Sequence, residues 1–92
     1  MTNTHHKAHL YCATERRKAT DLSVTSKDSS TRYNASIAAV VWDELAGQLY
    51  KPNPISVKKF QEVKETAVRI ACCMKQGEYR NEVIKKVEAV EL

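Results

Sequence analysis

Hydrophobic and polar positions divide the 92-residue chain into a short-period N-terminal part and a long-period remainder. The clearest stretch is Ile55 to Gly77. Phe60, Val63, Ala67, Ile70, Ala71 and Met74 recur at helical intervals and form one apolar stripe. Ser56 suits the N-cap, with Ile55 and Phe60 at the spacing of a hydrophobic staple. Gly77 suits the left-handed stop. Lys58–Glu62 and Glu65–Arg69 are opposite charges four residues apart on the far side. Val57, Val68 and Cys72 make a second, thinner apolar line, which predicts neighbours on two sides.

Ile37 to Leu49 reads as a second amphipathic helix. Ala38, Val41, Trp42, Leu45 and Leu49 share a face, and Asn34 or Ser36 suits the cap. Tyr50-Lys51-Pro52-Asn53-Pro54 breaks it. Beyond Gly77, Tyr79, Val83, Val87 and Val90 fall on one helical face, although β-branched content also allows a strand over Val83 to Leu92.

Upstream, the period shortens. Ala8, Leu10 and Cys12 alternate with Lys7, His9 and Tyr11, and Thr20, Leu22 and Val24 alternate within Lys18 to Ser26. Both read as strands, joined by a polar turn at Glu15-Arg16-Arg17. Lys27 to Ser30 is a further turn, and Thr31 to Ser36 is a third strand or the run-in to a helix. The expected fold is therefore α+β. It is a single domain over residues 1–92, with an N-terminal antiparallel β-hairpin or three-stranded meander packed against two or three α-helices.

Composition adds limits. No apolar run approaches eighteen residues and the N-terminus lacks a signal-peptide apolar region, so a cytoplasmic protein with no membrane partner is expected. The net charge is +4. Residues 1–50 carry six Lys and Arg against five Asp and Glu, and residues 51–92 carry nine against six. So mild an excess permits an anionic partner without resembling a dense nucleic-acid-binding arm. Three cysteines in a cytoplasmic chain are expected as free thiols.

Chemistry-bearing patterns are sparse. His5, His6, His9 and Cys12 match no closed tetrahedral metal site, because no second ligand cluster follows. Phosphate loops and hydrolase or metalloprotease motifs are absent. The reading is a binding protein with no enzyme activity, no cofactor and no small-molecule substrate. Its candidate contacts are the cations Arg16, Arg17 and Lys18 at the expected hairpin tip, with Lys27, Arg32 and the aromatic Tyr33 nearby. Lys58 and Lys59 are secondary candidates. Such cations reach phosphates without reading bases.

Read end to end, the segments MTNTHHKAHLYCATERRKATDLSVTS, RYNASIAAVVWDELAGQLYKPNPISVKKF and EVIKKVEAVEL resemble a phage-encoded anti-CRISPR protein acting on type I-F systems. These proteins share no fold and no diagnostic motif, so the resemblance transfers no site residue. It implies a stoichiometric inhibitor, acting in the infected bacterial host. Its partner would be the CRISPR-RNA-guided surveillance (Csy/Cascade) complex, met through Cas protein subunits, with the guide-RNA backbone as a contact left open. Blocked target-DNA recognition is the expected effect, and binding to free DNA is not expected. The alternative is a small phage DNA-binding transcriptional regulator.

Overall fold

A computed structural model describes residues 5–50 and 55–92. Four helices follow in order: α1 (His6–Thr25), α2 (Ser29–Leu49), α3 (Val57–Ala71) and α4 (Glu78–Ala89). No strand occurs among the described residues, and the expected α+β fold is wrong. The hairpin or meander is one continuous helix and the first turns of the next.

The reason lies in α1. Ala8, Cys12, Glu15 and Ala19 are its buried residues, spaced four, three and four apart. That is a helical stripe made of small side chains and one carboxylate, which short-window alternation conceals. Leu10, the centre of the supposed strand face, is half exposed. The supposed turn Glu15-Arg16-Arg17 has no Gly, Pro, Asn or Asp to make it turn. Ala, Leu, Glu, Arg and Lys are instead good helix formers.

The break expected at Lys27 to Ser30 is real, but it joins two helices. Asp28 caps α2, its carboxylate accepting hydrogen bonds from the Thr31 backbone N–H (2.9 Å) and hydroxyl (2.7 Å). Arg32 donates to the Ser26 carbonyl at 2.9 Å and ties the turn to both helices. So short a link forces α1 and α2 to lie antiparallel. Small residues on α1 receive the large ones of α2, where Val41, Trp42, Leu45 and Leu49 are all at most 2% exposed. The α2 face matches expectation, while its cap lies upstream of both Asn34 and Ser36. The break over 51–54 lies outside the described residues.

α3 begins as expected: Ser56 Oγ accepts from the Lys59 N–H at 3.1 Å. Phe60, Val63, Ala67, Ala71 and Met74 are buried, and Ile55, Ile70 and Val68 pack against the same core. The helix nevertheless ends at Ala71, six residues before Gly77. Cys73 and Met74 close it with tighter bonds to the Ile70 and Ala71 carbonyls, both 3.0 Å. Asn34 of α2 then captures the loop, accepting from the Lys75 N–H (2.8 Å) and donating to the Lys75 carbonyl (3.2 Å). Gly77 does not stop α3. It precedes α4 at φ 157° and ψ −175°, a region used essentially by glycine alone. The second apolar line of α3 is also corrected, because Val57 and Cys72 are exposed.

α4 is a helix, with Val83 and Val87 buried and Val90 at its end. Lys64 of α3 donates to the Glu88 (2.7 Å) and Val90 (2.9 Å) carbonyls, placing a cation where the helix dipole favours one. The resulting slab measures 43 × 22 × 15 Å. Among the described residues, no helix is long and apolar enough to cross a membrane.

Candidate partner-binding surface

The cations expected to cluster at a hairpin tip point in three directions from the middle of α1. Successive helical residues are 100° apart, so adjacency in sequence separates them in space. Arg16 donates to Asp43 of α2 at 2.9 Å, and both side chains stay largely exposed. Arg17 faces outward with no ion-pair partner among the described residues. Lys18 turns the other way and pairs with Glu15 at 3.1 Å.

Glu15 is the one buried charged residue among those described. Lys86 of α4 reaches its second oxygen at 3.1 Å and also lies 3.9 Å from Glu82. Burial pushes the Glu15 carboxyl up, but the hydrogen bonds from Lys86 and Lys18 outweigh it and hold the group below its ordinary range. The bond to Glu15 raises the Lys86 ammonium in turn. Tyr11 packs edge-on against Trp42 beside this network, with ring centroids 5.8 Å apart. The network joins α1 to α4 and is architectural.

Further cations lie at the α1–α2 turn, around the Asp28 cap. Lys27 is exposed there, and Arg32 adds its guanidinium. The Lys75 ammonium, delivered by the Asn34 clamp, sits 5.7 Å from the Tyr33 ring centroid and 3.2 Å from Ser30 Oγ. Tyr33 remains 48% exposed, its hydroxyl donating to the Cys73 carbonyl at 3.4 Å. Of the expected set, the fold sets Tyr33 against Lys75, which sequence reasoning had placed inside a helix, and ties Arg32 back to Ser26 in the α1–α2 turn next to exposed Lys27. Nothing in the sequence links Lys75 to Tyr33, because the contact spans 42 positions and depends on α3 ending early.

Lys58 and Lys59 sit at the start of α3, away from this end. Lys59 lies 3.9 Å from Glu62, and neither expected four-residue pair on α3 forms. His9 uses its ring, through Nδ1, on the Ala46 carbonyl at 3.2 Å, and no group of three metal-ligating side chains occurs among the described residues. All three cysteines carry free thiols. Cys12 is buried, and burial with the nearby Glu15 charge pushes its thiol up to about 12. Cys72 and Cys73 are exposed. What the arrangement offers chemically is contact: one aromatic ring beside Lys75, with Lys27 and Arg32 at the adjoining turn and Arg17 exposed on α1. No protein-family model, curated protein or solved structure matches the chain.

Proposed function

We propose that the protein is a stoichiometric anti-CRISPR inhibitor, binding the type I-F surveillance complex and blocking its recognition of target DNA. The reading rests on the whole-chain sequence resemblance. The observation that gives it a surface is exposed Tyr33 beside the Lys75 ammonium, with Lys27 and Arg32 at the adjoining α1–α2 turn. Cations and an exposed aromatic face at one end of the molecule suit acidic protein surface or guide-RNA phosphates, the two materials such a complex presents. Arg17 is a further exposed cation, on α1. Arg16 and Lys18 contribute less to this proposal, because each forms a direct ion pair with a carboxylate of its own chain, whereas Arg32 and Lys75 feel the Asp28 charge only at longer range.

The test is co-purification of the chain with the surveillance complex, for wild type and for Lys27→Glu/Lys75→Glu. Both side chains are exposed, so the fold is retained, which circular dichroism checks. Reversal is expected to weaken capture at least tenfold. Capture at wild-type strength removes this surface, and failure of the wild-type chain to co-purify removes the function. Salt-sensitive binding of the wild-type chain to free duplex DNA would favour the transcriptional regulator instead.

A further inference from the structure

α4 is held unevenly. It is the shortest of the four helices, at 12 residues, and starts at Gly77 without a side-chain cap, whereas Asp28 caps α2 and Ser56 caps α3. On its α3 side it is anchored. Val83 and Val87 enter the common core, and Lys64 holds the Glu88 and Val90 carbonyls.

The side facing α1 is open. No Cα of α4 comes within 8 Å of a Cα of α1. The ion pair of Lys86 with Glu15, at 3.1 Å, crosses the gap between them. A cleft lies on either side of that bridge. One, of about 160 Å³, is lined by Leu22, Trp42 and Tyr79. The other, of about 270 Å³, is lined by Ala8, Tyr11 and Val90. A tightly seated helix fills such space with side chains. Elements with few buried apolar contacts are the ones that open locally while the rest of a fold persists.

The junction before α4 suits such an opening. Met74 is buried, and Asn34 grips the Lys75 backbone at both its N–H and its carbonyl. Gly77 follows two residues later at φ 157°. A Cβ there would meet nothing within 4 Å, so the backbone pivots in open space. Rotation at Gly77 therefore displaces α4 and leaves the clamp in place. Glu15 also tolerates the departure. Lys18 pairs with it at 3.1 Å from α1 itself, so the carboxylate keeps one cation when Lys86 leaves and gains water.

We propose that α4 is a latched strap. It swings off α1 and α2 as a unit about Gly77 while α1, α2 and α3 stay folded, and the Lys86–Glu15 bridge is the latch. Opening uncovers Glu15 and the Trp42 side of α2. The proposal is independent of the inhibitor function and is tested on the purified chain alone.

Amide hydrogen exchange of the whole chain, resolved by residue with NMR and repeated at low urea concentrations, is the test. The Val83, Ile84 and Val87 amides should share one opening, at least tenfold more frequent than the opening that exposes Val41 and Leu45. Its urea slope should be shallower, because less surface is bared. Asp28→Ala removes the α2 cap, which stays formed when α4 alone opens. It should speed exchange at Val41 and Leu45 severalfold and leave the α4 amides unchanged, and Ser56→Ala at the α3 cap should do the same. Lys86→Met should speed the α4 amides about tenfold. Equal protection of α2 and α4, or equal acceleration of both by the two cap variants, overturns the proposal. Exchange in α4 that has no urea slope and weakens progressively from Ala89 is fraying and overturns it too, as does α4 exchange unmoved by Lys86→Met.

Discussion

Lys86→Met removes the ammonium that crosses from α4 to Glu15 while keeping most of the stem. In the wild type the Glu15 side chain is 8% exposed and takes one hydrogen bond on each oxygen. Breaking a fully buried pair from one side costs about 3–5 kcal/mol, whereas exposed pairs are worth at most about 1. Lys86 is 41% exposed and Lys18 stays in place, so the expected loss falls between those limits, at about 1–2 kcal/mol. For a chain of this size that lowers the melting temperature by roughly 4–15 °C. Glu15 has its carboxyl depressed below 4.5. Its contribution is therefore complete above the unfolded value and is lost as pH falls through the folded one. Lys86 is raised above 10.5, so its share is lost only as pH rises through its folded value. The deficit of Lys86→Met should be full at pH 7 and should shrink at pH 3. Urea unfolding followed by the fluorescence of Trp42, the single tryptophan, measures both. Equal stability of the two proteins at pH 7, or an undiminished deficit at pH 3, would refute the reasoning.

Three further outcomes are expected. Asn34→Ala releases the loop after α3, costs about 1–2 kcal/mol for two lost hydrogen bonds, and accelerates amide exchange at Lys75. Ser56→Ala costs about 1 kcal/mol through loss of the α3 cap, read from the urea midpoint. Iodoacetamide at pH 8 labels Cys72 and Cys73 in the native chain and adds a third adduct, at Cys12, only on denaturation. Mass spectrometry counts the adducts, and three in the native chain would contradict the burial that pushes Cys12 up to about 12.

Legibility in the sequence followed side-chain size. Trp42, Leu45 and Leu49 mark the inner face of α2, and Phe60, Val63 and Ala67 that of α3, because large apolar groups at helical spacing have one sensible reading. α4 was half legible: Val83 and Val87 share a helical face, but the same β-branched residues left a strand open. α1 was not, since its buried side is Ala8, Cys12, Glu15 and Ala19, and a buried carboxylate carries the wrong sign for any hydrophobic pattern. Glu15 is satisfied by Lys86, 71 positions away. The candidate surface divided on the same principle. Lys27, Arg32 and Tyr33 were found because they are near one another along the chain. Arg16, Arg17 and Lys18 were grouped for that reason too, and a helix disperses such neighbours. Lys75 was missed because only Asn34 explains why α3 ends where it does.

The inhibitor reading is tested most directly by an electrophoretic shift of target DNA by the purified type I-F surveillance complex, with and without the chain at equimolar and excess ratios. The account predicts that the shifted DNA band disappears near one chain per binding site on the complex, while the chain alone shifts no DNA. Unchanged DNA binding by a complex saturated with the chain would contradict it.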